Sequence, residues 1–390
     1  MAGRVRQPID VAALERYITQ HVPEIKTPLD VKQFGFGQSN PTYQLTSPPS
    51  PPSSSSSSSS GTGRGKRYVL RKKPPGKLLS KTAHKVEREH RIIAALGPTD
   101  VPVPRAYCLC EDEAVLGTPF YVMEFLDGRI FEDPAMPEVR TAAERTALWK
   151  AAAETLARLH RVDFREVGLE RYGRGSGFYD RQLATWRQIC AAQEKAVDVD
   201  SGEPVGLIPH FDGFLSFFSD AARQPRDRGT LVHGDYKIDN MVFHPTQARV
   251  LGILDWEMST VGHPLSDLAN LMHPFYTVDV TLGYQSSSGR GNDAFRPGAT
   301  PGMPTPDLIM DWYAAVAGWD PRPEMNWAMA FSCFRSAAIA QGIAARVAQR
   351  QATSERAVEY ADAFKVLGEF AWGLVEKEFK TSGKTSTAKL

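Results

Sequence analysis

The sequence predicts an α+β fold in two lobes: a small β-rich N-terminal lobe over residues 1–126 and a larger, mainly helical C-terminal lobe over residues 127–379, followed by a polar tail over 380–390. Three observations carry that expectation. Strand-like runs crowd into the first third of the chain, and helical periodicity dominates after residue 142, a segregation expected of α+β organisation. The third is length, since 390 residues can bury two cores of ordinary size.

The elements follow in order. Ile9, Val11, Leu14, Ile18 and Val22 recur at helical spacing behind Asp10, a residue suited to an N-cap. Residues 31–45 read as strand, loop and strand, with Gly35-Phe36-Gly37-Gln38-Ser39-Asn40 at the turn. Residues 47–65 hold Pro-Pro-Ser-Pro-Pro, eight consecutive serines and a Gly-rich end; nothing there can build a core, so the segment reads as a disordered insertion. Strands are expected at 67–71, 106–109 and 120–125, and a helix at 83–96. A helix spans 142–161, and strands at 241–243 and 250–254 flank a loop of interest. Apolar stripes at 327–349 and 356–379 predict two closing helices.

Composition excludes several function classes. A net charge of +1 argues against general nucleic-acid binding. Charge is uneven locally: residues 66–91 carry ten Lys and Arg against two acidic residues, either a solvated surface or a rim for phosphorylated ligands. Cys108, Cys110, Cys190 and Cys333 form no zinc pattern, which favours free thiols in a reducing compartment. No apolar run is expected to cross a membrane, and the N-terminus has no signal core. The last residues, Ala388-Lys389-Leu390, form a small–basic–Leu tripeptide close to a peroxisomal address, so peroxisomal import through a receptor is expected, with the cytoplasm as the alternative.

Four constellations carry chemistry. The glycine turn brings Gly35 and Gly37, with Gln38, Ser39 and Asn40, to where backbone N–H groups can meet phosphate oxygens; otherwise it is a plain hairpin. Arg71 ends a strand and Glu89 follows on the next helix, a cation for phosphates with its tether, or two surface charges. Glu124, Phe125 and Leu126 end an apolar strand and could offer backbone groups to an adenine edge, or could be interior. The fourth is His233-Gly-Asp235-Tyr-Lys-Ile-Asp-Asn240, followed by Val250–Leu254 and Asp255. Asp235 can accept a hydroxyl proton, while Asn240 and Asp255 are oxygen ligands suited to Mg²⁺ on ATP phosphates. His233 organises the loop. Asp267 caps a helix or braces the loop.

Taken together, these segments resemble the aminoglycoside-phosphotransferase and choline-kinase branch of the protein-kinase-like superfamily. The motifs are His233-Gly-Asp235-x₄-Asn240, Leu254-Asp255-Trp-Glu and Gly262-His-Pro-Leu-Ser-Asp267-Leu-Ala, and the resemblance covers about residues 30–375. It implies a bilobal kinase-like fold, ATP and Mg²⁺ as cofactors, Asp235 as catalytic base, Asn240 and Asp255 as metal ligands, and Asp267 as the loop's anchor. Arg71 stands where many relatives have Lys. Residues 34–43, 68–79 and 255–268 are similar to the phosphotransferase domain fused to acyl-CoA dehydrogenases, which implies a hydroxyacyl-CoA substrate. No dehydrogenase domain follows within these 390 residues. The expected activity is phosphoryl transfer to a small-molecule hydroxyl, with no nucleic-acid or membrane partner. The alternatives are a choline- or aminoglycoside-type kinase, a non-catalytic nucleotide- or acyl-CoA-binding pseudokinase, and a metal-dependent hydrolase built on His233 and Asp235.

Overall fold

A computed structural model of the chain describes residues 2–35, 40–49, 65–74, 85–280, 292–352, 357 and 361–387. Gly37, Gln38 and Ser39, most of the Ser-rich insertion, residues 75–84 of the basic stretch, and Ala388, Lys389 and Leu390 lie outside them. The chain divides into two units: Met1–Arg129 with Met241–Ser259, and Ile130–Asn240 with Thr260–Leu390.

The first unit begins with β1 (Ala2–Gly3), α1 (Val11–His21), β2 (Asp30–Phe34), β3 (Thr42–Thr46), β4 (Arg67–Lys72), α2 (Val86–Leu96), β5 (Ala106–Cys110), α3 (Glu113–Leu116) and β6 (Phe120–Glu124). Its strands form a six-stranded antiparallel sheet in the order β1-β2-β3-β4-β6-β5. Asp10 caps α1, accepting a hydrogen bond from the Ala13 N–H at 2.9 Å. Leu14, Ile18 and Val22 then pack with Tyr43, Leu45, Tyr68, Leu70, Phe120 and Val122, which share one sheet face through the two-residue period of a strand. The same alternation turns Arg71 to the opposite face, and the β4–β6 register sets it across from Tyr121.

The chain continues with α4 (Ala142–Arg161), α5 (Phe178–Gln193), α6 (Phe211–Ser219) and β7 (Thr230–Val232), then β8 (Met241–Phe243) and β9 (Val250–Ile253). The β8–β9 hairpin belongs to the first unit, although the sequence reading places it within the lobe at 127–379. Hydrogen bonds explain this: Arg129 and Phe243 exchange N–H···O bonds of 2.7 and 2.8 Å, and the Ile253 N–H donates to the Pro102 carbonyl at 3.0 Å. A Cβ on Gly252 would lie 2.2 Å from Leu126 Cδ1, so glycine lets the Leu126 side chain lie directly on β9.

The second unit resumes with β10 (Thr260–Gly262), α7 (Leu265–Tyr276), α8 (Pro306–Ala317), α9 (Arg322–Ala348) and α10 (Ala363–Thr387). β10 pairs antiparallel with β7, two three-residue strands too short to show a period in the sequence. Tyr179, Phe218, Trp327, Phe331 and Phe334 interlock in its core. By length and composition α9 could cross a membrane, contrary to the expectation that no such run exists. However, 78% of that window is buried inside the protein, as in a core helix. The stretch after Lys380, expected as a flexible tail, continues α10 to Thr387, because elongating a helix costs far less than nucleating one.

Candidate active site

Each unit carries a polar network. In the first, Arg71 is the hub. Its Nη1 lies 2.9 Å from Glu89 Oε2 and 3.0 Å from Asp255 Oδ1, and Nη2 donates to the same Asp255 oxygen at 3.1 Å. Glu257 stands 3.9 Å away. Glu89 is fully buried on α2; it accepts from Tyr121 Oη at 3.0 Å and Asn40 Nδ2 at 2.9 Å. Burial pushes the Glu89 carboxyl up, to about 7, with Arg71 acting in the opposite direction. Burial alone would weaken the Arg71 charge, but Glu89, Tyr121 and Asp255 outweigh it, and its pKa is raised. Of the two glutamates at 87 and 89, Glu89 therefore pairs with Arg71.

Asp255 follows β9 in the left-handed region, with φ 65° and ψ 60°. That backbone is costly for most residues but accessible to Asp, and it turns the chain out of the strand. Trp256 locks the turn from inside, its indole N–H donating to the Ile253 carbonyl at 2.9 Å. The Asp255 side chain stays 39% exposed, so it can still reach a ligand.

One expectation is corrected here, at Asn40, and one is narrowed, at Glu124, whose N–H is taken. Asn40 was read as a phosphate-facing donor, but its side chain is fully buried and its amide holds Glu89. Glu124 was read as offering backbone groups to a base, but its N–H donates to the Arg105 carbonyl at 2.8 Å and its carboxylate accepts from the Arg105 N–H at 3.2 Å. Phe125 stacks on Phe34, centroids 6.4 Å apart, beneath the Arg67 guanidinium; Leu126 packs against Gly252. Gly35 ends the described part of the turn, where Arg6 donates to its carbonyl at 3.4 Å.

The second unit holds the 233–240 loop. Asp267, inside α7 rather than at its cap, is fully buried, and its carboxylate accepts from the His233 and Gly234 N–H groups at 2.7 and 2.8 Å. His160 Nε2 lies 3.3 Å from it, while His160 Nδ1 meets Tyr313 Oη at 2.7 Å. Burial works against the Asp267 charge, but the His160 and His233 contacts prevail and lower its pKa. Asp267 is thus a brace for the loop. Gly234 turns at φ 88°, and His233 Nδ1 accepts from the Asp235 N–H at 3.2 Å.

The base candidate is gripped from its own loop. Asn240 Nδ2 donates to Asp235 Oδ2 and to the Asp235 carbonyl, both at 2.9 Å. With the amide N–H₂ so committed, the Asn240 oxygen is the atom left to face a cation. Lys237 Nζ sits 3.5 Å from Asp235 and 3.1 Å from Asp239; these carboxylates outweigh burial and raise its pKa. Asn270, on α7, donates to Asp235 Oδ1 at 3.4 Å. Lys237, Asp239 and Asn270 also line a cavity of about 210 Å³ walled by Trp149, Ile238 and Leu271.

Sequence reasoning missed Lys237, Asn270, His160 and Tyr121. Lys237 lies inside the motif, and Asn270 stands one helical turn after Asp267, a spacing that does share a face. Nothing local singles out His160 or Tyr121. Among the described residues no group of three or more His, Cys, Asp or Glu could hold a metal ion by itself, so the hydrolase alternative has no ligand cluster. His244 accepts turn N–H groups, and His263 and His273 are packed inside.

Residues 30–295 match the model of the "Phosphotransferase enzyme family". Acyl-CoA dehydrogenase family member 11 of Gallus gallus is 39% identical over 365 residues, covering 92% of this chain and 43% of that protein. Its Rattus norvegicus counterpart is 37% identical over 387 residues, covering 97% and 45%. The chain thus spans less than half the length of these curated relatives. A Ralstonia eutropha crystal structure bearing an aminoglycoside phosphotransferase name superposes with a TM-score of 0.76 at 34% identity, covering 95% of this chain and 99% of that one. The macrolide 2'-phosphotransferase MphH of Brachybacterium faecium, at 18% identity, covers 90% and 97% with a TM-score of 0.53, a likeness of fold alone. The kinase-like aminoglycoside phosphotransferase fold, the family match and the relatives agree: this chain belongs to the phosphotransferase enzyme family.

Proposed function

We propose that this chain is a small-molecule kinase that moves the γ-phosphoryl group of ATP to a hydroxyl, and that its acceptor is a hydroxyacyl-CoA thioester. The observation that carries the reading is the grip on Asp235. A carboxylate that accepts from Asn240 and Asn270, on a loop braced by buried Asp267, is an oriented proton acceptor. Arg71 supplies a fixed positive charge for phosphate oxygens, tied to Glu89. The Asn240 amide oxygen and the Asp255 carboxylate are each ligands of the kind Mg²⁺ takes, and the ion would supply charge neutralisation of the phosphates.

Support for the acceptor class comes from two sides. The relatives bear acyl-CoA dehydrogenase names, and the cavity beside Asp235 is walled largely by apolar groups, with Lys237 and Asp239 offsetting each other. A polycationic acceptor would need an acidic lining, which that cavity lacks.

The test is ADP release from Mg-ATP with 4-hydroxyacyl-CoA thioesters, choline, aminoglycosides and hydroxylated amino acids offered in parallel. Turnover on a hydroxyacyl-CoA above all others supports the reading; preference for an aminoglycoside or choline sinks the acceptor class. Asp235→Asn should lower kcat by about a hundred- to ten-thousand-fold while ATP still binds. Near wild-type turnover in that variant would remove Asp235 as the base.

A further inference from the structure

Arg335 lies in α9, between Phe331–Phe334 and Ala337–Ala338, a run of otherwise small and apolar side chains. Arg335 is partly buried, and a charge so placed costs free energy unless it is hydrogen-bonded or paired. Among the described residues it forms no ion pair with a carboxylate, and its Nε, buried, has no hydrogen-bond partner. Burial lowers its pKa, opposed by the fields of Asp267 and Asp235. Among the described residues its one hydrogen bond runs from Nη2 to Asn270 Oδ1 at 3.0 Å.

That contact determines what Asn270 can do. An amide has one oxygen and one N–H₂ group, and occupying the oxygen with a guanidinium turns the N–H₂ the other way. Here it faces the loop, donating to the Tyr236 carbonyl at 3.2 Å and to Asp235 Oδ1 at 3.4 Å. The two oxygens of Asp235 are thereby held from opposite sources. Oδ2 is held within the loop by Asn240 at 2.9 Å and Lys237 at 3.5 Å, and Oδ1 from outside the loop by Asn270. Without the outside contact the carboxylate is free to swing about the bond to its own loop.

We infer that Asn270 and Arg335 form a positioning relay for Asp235: Arg335 fixes the orientation of the Asn270 amide, and Asn270 aims the carboxylate that takes the proton. The inference rests on the reading of Asp235 as the base. Asn270 touches the Asp235 carboxylate itself, and Arg335 reaches it only through Asn270, so both act through Asp235.

The experiment uses the full chain carrying Asn270→Leu, Arg335→Met, both together, Arg335→Gln, and Asp235→Asn as reference. ADP release from Mg-ATP is followed with 4-hydroxypentanoyl-CoA and with water alone as acceptor, beside the melting temperature of each variant. Asn270→Leu and Arg335→Met should each lower kcat about ten- to a hundredfold, the size of effect that misplacing a reacting group produces. KM for ATP should stay within about twofold, because ground-state binding is untouched. The double variant should be no slower than the slower single, since links in series do not add. Arg335→Gln keeps a donor for Asn270 and should recover most of the rate; it also carries the test if Arg335→Met fails to fold. The relay is overturned if Asn270→Leu retains wild-type kcat while Asp235→Asn is inactive, if the single effects multiply, or if rate losses follow melting temperature alone. Full turnover by Asp235→Asn would instead defeat the base assignment.

Discussion

The Arg71 network of the first unit and the 233–240 loop of the second are both built around carboxylates, but they are assembled differently. Arg71, Glu89, Tyr121, Asn40 and Asp255 come from five separate segments, and strand register and helix packing bring them together. In the loop, His233, Asp235, Lys237 and Asn240 contact one another over eight residues, and Asp267 is the distant anchor. The first network depends on the whole sheet being in register. The second depends on one local backbone path and a single buried brace.

That difference can be broken at its extremes. Asp267→Ala should produce the largest loss, because two backbone N–H groups and His160 lose their acceptor inside the core. Removing one partner of such a buried, charge-assisted set costs about 3–5 kcal/mol. Urea unfolding would measure it, and a loss below that of an average core truncation would show that the loop holds its shape without the brace.

Acid should separate the two units by sign. Burial lowers the His263 and His273 pKa values to about 4, and for His273 the Arg335 charge adds to this. Between pH 6.5 and about 4 the unfolded chain binds these protons and the folded chain does not, so each histidine withdraws stability as pH falls, about 3 kcal/mol at the limit. Glu89 runs the other way. Its raised folded pKa means the folded state holds the proton more tightly, so its contribution strengthens as pH falls from about 7 towards 4.5. Hydrogen exchange at pH 7 and 5, corrected for intrinsic rates, should show α7 loosening before β4 and α2. Simultaneous loosening, or the reverse order, would refute the assignment.

The smallest effect is expected at Asn40. Asn40→Leu removes one of the donors to Glu89 and should cost about 1–3 kcal/mol. Because Asn40 serves Glu89 rather than a ligand, KM for ATP should change less than stability does; a large KM change with unaltered melting would return Asn40 to the phosphate site.

Much of this was legible beforehand because it is local. The Asp10 cap, the 142–161 helix and the strands at 67 and 120 follow from period and capping chemistry. The loop's spacing was readable because its contacts span few residues. What escaped reading depends on distant partners: β7 and β10 exist only by pairing with each other, and Glu124 lost its free N–H to Arg105 on a neighbouring segment. Asn40 sits in a glycine turn that suggested phosphate, yet the fold buried it against a glutamate 49 residues away.

By itself the sequence determined the order of the N-terminal strands and the longest helices, the family motifs and the residue types available for phosphoryl chemistry, since these are set by side-chain chemistry and short-range periodicity. Only the tertiary structure decided that Asn40 serves Glu89, that Asp267 braces rather than caps, and that an arginine in an apolar helix reaches Asp235 through Asn270. The physical reason is that hydrogen bonds between buried groups are selected by packing across long sequence separations. There an unpaired polar atom is expensive, and the surrounding fold rather than the local chain determines its partner.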